Sequence, residues 1–492
     1  MPERMLPPVI PQFIEVDDIV KFSMFLTYIK YGLYFIWIVP LYRGIVTFKS
    51  WKTHYQSLVK IPARTEAIPI LRYPTVAVVI PARNASKFIR SSILSVLNQS
   101  VLPRTIYVLN DASKDNTLEV VQNLIGELSG ELIEVRAEKG RTLLKYRVHL
   151  RTGKEIYIAI MSFASHSGKP KMINSVLGEV AKEHDYMLVL DSDTIVEKKY
   201  IEKLMHFMNK DESVVGANGT VLLWKPEGSG KASWFFARAF RNIASLYYLL
   251  TVRFSESVFK SVNSLNGSCA LYKVKPLIEV GGIPEDTYVE DTSISWELQL
   301  RGYNVLYIPG AYSYTVDPSS PRRFFSKVFR ITLGIQKLFI TRAKKLVRKR
   351  RRNLVLTSLY TSLGSLPFIF VIANTIISAI LAEFGIYGGG LSQYIFGSLQ
   401  FTPISIVLAF IYKYPLSYLL LSYLIGILES FAIYKFLERL YREEPSIRVS
   451  LKSAGKTIVL VPLILWVQAF IALISLPISI YHVIANKKIS RW

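Results

Sequence analysis

The chain has 492 residues, enough for more than one domain, and carries a formal net charge of +24 although 51% of its residues are hydrophobic. Such a basic balance fits nucleic acid, an anionic membrane surface or phosphorylated substrates, and an apolar content gathered at both ends of the chain favours the membrane. The single cysteine, Cys269, excludes an intrachain disulfide, and no internal repeat or low-complexity tract stands out.

In chain order, the first signal is FSMFLTYIKYGLYFIWIVPLYRGIVTF, Phe22 to Phe48, interrupted only by Lys30 and Arg43. About twenty apolar residues cross a bilayer, so one transmembrane helix is expected here. Glu15, Asp17 and Asp18 precede it in place of the basic run of a signal peptide, and no small-residue cleavage site follows.

Residues 75–310 alternate strand and helix patterns. TVAVVIPA is predicted as a buried strand, Ser86–Gln99 as a helix, TIYVLND as a strand and Thr117–Leu128 as a helix. ELIEVRA reads as a strand, 139–163 has no clear pattern, and YMLVLDSD is again a strand. This alternation predicts a mostly parallel sheet with helices on both faces, which binds ligands beyond the carboxyl ends of its strands. Asn84, Asp111, Asp191 and Asp193 all fall just past such ends, so they are expected to converge on one cleft. A D-x-D turn presents two oxygen ligands to a hard cation such as Mg²⁺ or Mn²⁺, which completes its shell with water and substrate phosphates. The alternative is that Asp193 caps a helix over Ile195–Asn209. Glu290 and Asp291 open a helix with apolar positions Ile294, Leu298 and Leu300, where the helix dipole also favours acids.

Trp234–Phe259 is rich in aromatics and reads either as an interfacial or acceptor-lining helix or as core. Over Arg322–Arg352, Phe325, Phe329, Leu333, Leu338 and Phe339 fall on one helical face, as in a helix lying in the membrane interface. Further apolar runs cover Leu354–Phe384, Tyr394–Tyr412, Pro415–Phe436 and Ile458–Ile484. TRAKKLVRKRRRN, Thr341 to Asn353, and Lys49, Lys52 and Lys60 flank the central region with positive charge, which places that region on the cytoplasmic face. The basic loop Arg439–Lys456 belongs on the same face, so one run, best Tyr394–Tyr412 with Pro403, is expected to be re-entrant or interfacial. The expected organisation is an N-terminal segment 1–70 with one membrane helix, a central domain 71–321, an interfacial helix 322–353 and three or four membrane helices in 354–492. That makes a multi-pass protein of the cell membrane.

Six stretches occur in a characteristic order: IPARN (Ile80–Asn84), LNDASKDNT (Leu109–Thr117), SGKPKMIN (Ser167–Asn174), DSD (Asp191–Asp193), NGSCALYK (Asn266–Lys273) and VEDTSISWELQLRGY (Val289–Tyr303). Together they resemble family 2 glycosyltransferases of the GT-A fold, and among these the membrane-embedded synthases of hyaluronan, chitin, cellulose and poly-N-acetylglucosamine. The resemblance implies an α/β GT-A (Rossmann-like) cytoplasmic domain combined with an α-helical transmembrane region. It implies an inverting transfer from a nucleotide-diphospho-sugar, with uridine the expected base and a divalent metal, Mg²⁺ or Mn²⁺, as cofactor. By matching position, Pro81, Asn84 and Asp111 contact the nucleotide, Lys169 stands near it, and Asp191 meets the ribose or diphosphate. Asp193, with Asp191, resembles the metal ligand, and Asp291 resembles the general base. Glu290, Trp296, Lys327 and Arg330 fall on the acceptor side, with packing the alternative for Trp296.

Two departures stand out: Ala85 replaces a common acid, and KVFRI (Lys327–Ile331) stands where processive members carry Q-x-x-R-W. Lacking the tryptophan on which an acceptor sugar stacks, the chain is expected to make short products on a lipid-linked or membrane-proximal acceptor. Processive polysaccharide synthesis is the alternative. A transporter with a nucleotide-binding regulatory domain would need ionisable residues inside the apolar runs, which hold few beyond Lys413 and Glu429. Nucleic acid is not an expected partner, because the densest basic run abuts a membrane segment. His166 reads as a loop residue and Cys269 as a buried small apolar one.

Overall fold

The computed structural model describes residues 74–138, 140–224, 248–316, 320–349 and 351–363, together with parts of 423–485. Continuous apolar runs make its central strands. Val76–Ala82 (β1), Thr105–Asn110 (β2) and, later in the chain, Tyr186–Leu190 (β6) are buried at every position, as strands covered on both faces require. Between them lie the helices Ile89–Leu97 (α1) and Thr117–Glu127 (α2), the strands Glu131–Glu138 (β3), Arg141–His149 (β4) and Glu155–Phe163 (β5), and the helix Lys169–Glu183 (α3). After β6 come Thr194–Val196 (β7), Tyr200–Lys210 (α4), Val214–Leu223 (β8), a π-helical turn at Tyr248–Arg253, Phe254–Val258 (α5) and Cys269–Lys273 (β9). Val274–Glu279 (α6), Glu290–Leu300 (α7) and Asn304–Thr315 (β10) complete the domain.

The described strands join one sheet in the order β3-β4-β5-β2-β1-β6-β9-β8-β10-β7. Apolar side chains of α1, α2 and α4 cover one face, and those of α3, α6 and α7 the other. Only the run β5-β2-β1-β6 and the pair β8-β10 are parallel. The expectation of a mostly parallel sheet is therefore corrected: five of the nine pairings are antiparallel. Two of the five involve the region without a clear pattern. Gly140 and Gly153 sit at φ +83 and +78, and these left-handed turns reverse the chain directly, giving a β3-β4-β5 meander in place of crossovers. A second correction concerns Asp193. It is followed by β7, and the next helix begins only at Tyr200, so Asp193 caps no helix.

Pro321–Arg348 forms one 28-residue helix (α8), continued by Arg352–Leu363 (α9). Its buried positions, Phe324, Val328, Leu333, Gln336, Leu338 and Leu346, include Leu333 and Leu338 of the expected face, and Phe329 and Phe339 pack partly buried beside them, whereas Phe325 is 39% exposed. Protein covers that face. Leu338 and Leu346 meet Val289, Trp296 and Leu300, while Phe324 and Val328 meet Ile471 of the helix Val461–Ile484 (α10). Gln336, buried between α8 and α10, donates to Ala472 O at 2.9 Å and accepts from Ser475 Oγ at 2.8 Å. The described part of Trp234–Phe259 is core, with Leu249, Leu250 and Phe254 buried. Cys269 is buried as expected.

Among the described residues no helix is long and apolar enough to cross a membrane. The expected spans at 22–48, 364–384 and 394–412 lie outside the described residues, as do much of 415–436 and several side chains of α10, such as those at 464–466.

Candidate active site

The carboxyl ends of β2 and β6 and the start of α7 meet at one rim of the sheet. Lys169, the first residue of α3, is the hub. Its Nζ donates to Asp191 Oδ1 and to Gly267 O, both at 2.7 Å, and Glu290 Oε1 stands 3.6 Å away. Burial works to lower the Lys169 ammonium, but the charges of Asp191 and Glu290 outweigh it and hold the group above the ordinary lysine value. Gly168, at φ +85, provides the turn that aims Lys169 inward from the helix start.

Asp291 is clamped by backbone. Gly267 N–H donates to its Oδ2 at 3.0 Å and Thr292 N–H to its Oδ1 at 2.7 Å. Burial, and then the Glu290 charge, push the Asp291 carboxyl above the usual range, while the two N–H bonds and Lys169 work in the opposite direction. A carboxylate held this way is a stronger base than an ordinary aspartate. Gly267 makes the clamp possible: a Cβ there would lie 3.1 Å from Asp291 Oδ2 and 3.3 Å from its Cβ.

Asp193 follows two residues after Asp191 and lies 3.5 Å from the hydroxyls of Thr194 and Thr315. Burial, and then the charge of Asp191, push its carboxyl up to about 6, with Lys327 and Lys169 opposing. Two acids competing in a partly buried corner is an arrangement that a divalent cation relieves. Among the described residues no group of three His, Cys, Asp or Glu side chains could hold a metal by itself. The Asp191–Asp193 pair thus fits a magnesium-like ion that takes its other ligands from water and substrate phosphate.

Asp111 is buried, and its neighbours engage both its oxygens. Ser167 N–H donates to Oδ1 at 2.6 Å, His166 Nδ1 lies 2.5 Å from Oδ2, and Gly168 N–H reaches Oδ2 at 3.2 Å. Asp111 thereby fastens the loop that carries Lys169. Asn84 sits at φ 52; its N–H donates to Ser113 Oγ at 3.0 Å and its Oδ1 accepts from Lys114 N–H at 2.8 Å. It ties the loops after β1 and β2 together, and Pro81 is buried beside it in β1.

The acceptor-side residues do not stay together. Trp296 is 1% exposed, and its Nε1 donates to Asn263 O at 2.9 Å. Trp296 thus takes the packing alternative and not the acceptor pocket: α7 is buried at every position from Thr292 to Leu300 except Glu297, and Trp296 lies against α8. Ile331 packs against the same cluster. Arg330 Nη1 donates to Tyr288 O at 2.7 Å, fixing α8 to the loop before α7. Gly334 permits this close approach, since a Cβ there would lie 2.9 Å from Val289 Cγ1. Lys327 acts electrostatically on Asp193 and so belongs to the D-x-D corner. Gly267 and His166 are the functional neighbours that sequence reasoning missed. Gly267 lies inside the quoted NGSCALYK motif, whereas nothing in the sequence links His166 to a partner 55 residues away.

Residues 74–334 match the family model described as glycosyltransferase like family 2. The chain belongs to that family. Its α/β domain is accordingly a GT-A-like glycosyltransferase domain. The poly-β-1,6-N-acetyl-D-glucosamine synthase of Staphylococcus aureus (strain COL) is 24% identical over 237 residues, which is 48% of each chain. The Staphylococcus epidermidis protein of the same name is 18% identical over 328 residues, 66% of this chain and 70% of its own. The chain thus spans about half the length of the Staphylococcus aureus relative it matches. Among solved structures, a mannosyltransferase from Pyrobaculum calidifontis in complex with GDP-Man and Mn²⁺ aligns at TM-score 0.47 and 14% identity, over 79% of this chain and 96% of its own. Staphylococcus aureus TarS 1–349 in complex with UDP-GlcNAc aligns at TM-score 0.35 and 16% identity, over 59% of this chain and 75% of its own.

Proposed function

We propose that this family 2 glycosyltransferase is membrane-embedded and transfers a sugar, with inversion, from a nucleotide-diphospho-sugar to a lipid-linked or membrane-proximal acceptor. The observation that carries the reading is the clamped Asp291 joined through Gly267 to the Lys169–Asp191 pair, with Asp193 two residues past Asp191. In this scheme Asp291 takes the proton from the acceptor hydroxyl as its oxygen attacks the anomeric carbon, and Gly267 N–H keeps the carboxylate oriented. Lys169 carries positive charge toward the departing diphosphate. Asp191 and Asp193 hold a divalent ion, Mg²⁺ or Mn²⁺, whose contribution is to neutralise that leaving group. Asp111 orients the loop before Lys169, and with Asn84 and Pro81 forms the floor on which the nucleotide, a uridine nucleotide in this reading, is received.

Membrane embedding is supported by the apolar runs outside the central domain and by their basic flanks. The proposed organisation is one helix in 1–70, the catalytic domain over 71–321 on the cytoplasmic face, the basic helix of 322–353 and three or four membrane helices in 354–492. With Ile331 partly buried against the Trp296 cluster, position 331 offers no aromatic platform for a growing glycan, which favours short products. Lys327 and Arg330 stay near the acceptor's head group in this reading, one toward Asp193 and the other anchored on Tyr288. The names of the staphylococcal relatives favour the second reading, polymer synthesis. Chromatography of labelled product decides between them: small organic-extractable species support the first, and a large glycosidase-sensitive polymer made without lipid acceptor overturns it.

A further inference from the structure

We propose that β3 is a pairing edge for a second copy of this chain. Among the described residues β3 ends the sheet and hydrogen-bonds only to β4. Its side chains sort by face. Glu134, Arg136 and Glu138 stand opposite Lys145, Leu143 and Arg141, on the side where Arg136 reaches Glu179 of α3 at 2.6 Å. Leu132, Val135 and Ala137 stand opposite Tyr146, Leu144 and Thr142 on the other side. Leu144 and Tyr146 pack against the core, but the apolar row continues past them onto β3 uncovered. Leu132, Ile133 and Val135 are 49%, 37% and 62% exposed. Unpaired backbone donors and acceptors beside an apolar row form a template that proteins ordinarily blunt.

The charges on β3 select a register for a like strand. Two identical antiparallel strands related by a two-fold axis keep each residue opposite one on its own face, so the axis passes through a residue. An axis through Glu134 or Arg136 opposes like charges. An axis through Val135 sets Val135 against Val135 and Glu134 against Arg136 on both sides, while the irregularity between Leu132 and Glu134 leaves Ile133 outside the ladder. That register is complementary over 134–136 and joins two ten-stranded sheets into one. The contact is small beside the roughly 1,200–2,000 Å² of a standard interface, so the pairing is weak and exchanging, and a covalent trap is the right probe.

The test uses V135C in the full chain, in detergent and in lipid, under mild oxidation. Directly opposed antiparallel residues have Cα atoms about 4.5–5.5 Å apart, within the disulfide range of about 4.4–6.8 Å. Cys269, the one native cysteine, is buried and does not compete. V135C is expected to form disulfide dimers about ten-fold faster than T152C, placed in the exposed turn before β5. Adding E134R sets like charges across the axis and is expected to cut that yield several-fold with the melting temperature unchanged. Cross-linking of V135C no faster than T152C, or indifference to E134R, overturns the proposal. So does protection of V135C from a small maleimide, which would mean that another segment of the same chain covers the edge.

Discussion

Gly267→Ala tests the clamp on Asp291 without touching a charge. The added Cβ would meet Asp291 Oδ2 at 3.1 Å and Cγ at 3.4 Å, so the carboxylate must retreat by a few tenths of an ångström. The 3.0 Å bond from the residue 267 N–H then stretches and weakens. A hydrogen bond to a charged group contributes roughly 1.5–3 kcal/mol, so its full loss corresponds to roughly 10- to 100-fold in rate. Partial retreat places the expected fall in kcat near the lower end, about ten-fold. Because that N–H holds the Asp291 carboxyl down against burial and Glu290, its loss lets the pKa rise further. The active form is the carboxylate, so activity falls as pH drops through this pKa, and the acid limb moves to higher pH, by up to about one unit. Donor binding, measured by calorimetry, is expected to hold, because Lys169 still has Asp191 and the carbonyl of residue 267. A variant with parental kcat and an unmoved acid limb would refute the clamp.

Asp193→Ala is expected to abolish metal-dependent donor binding; calorimetry with and without Mn²⁺ checks this. Asp193→Asn addresses stability. The folded carboxyl at about 6 lies above the ordinary aspartate value, so the protonated acid contributes stability at low pH that is lost as pH rises through about 6. Without metal at pH 7.5, the amide is therefore expected to raise the melting temperature by about 2 °C or more, and an unchanged value would contradict the charge crowding. Lys169→Met leaves Asp191, Glu290 and Asp291 without their cation and is expected to cost about 3 kcal/mol, read by denaturant unfolding. Trp296→Ala is expected to lose about 3–5 kcal/mol of stability as a core truncation; a parental melting curve with a raised acceptor KM would restore the acceptor role.

The strands that carry the catalytic rim were legible because their burial on both faces demands unbroken apolar runs, as in VAVVIPA and YMLVL. The rim acids were legible for the same reason, since a carboxylate right after such a run has few structural uses. The meander at 141–163 was not, because β4 is half-exposed and its mixed LLKYRV pattern fits helix and strand alike. Its direction depends on Gly140 and Gly153, whose positive φ no periodicity reports. The buried surface of α8 is wider than the stripe its sequence suggests, because its neighbours α7 and α10 come from distant parts of the chain and together cover more than one stripe. Trp296 shows the limit most clearly: an aromatic on a motif helix serves packing and binding equally well until the partner helix is known. The clamp between Gly267 and Asp291 joins residues 24 apart through a backbone N–H, an interaction that leaves no mark on residue type beyond the glycine itself.

The most direct test measures donor binding and nucleoside diphosphate release side by side for the lipid-reconstituted chain and its Asp291→Asn variant, across a panel of nucleotide sugars with Mg²⁺ or Mn²⁺. The parent is expected to release nucleoside diphosphate from one donor in a metal-dependent way. The variant is expected to bind that donor with similar affinity while release falls by about 10²–10⁴-fold, the contribution of a positioned base. Near-parental release by the variant with intact donor binding, or a parent that binds no nucleotide sugar at all, would contradict the account.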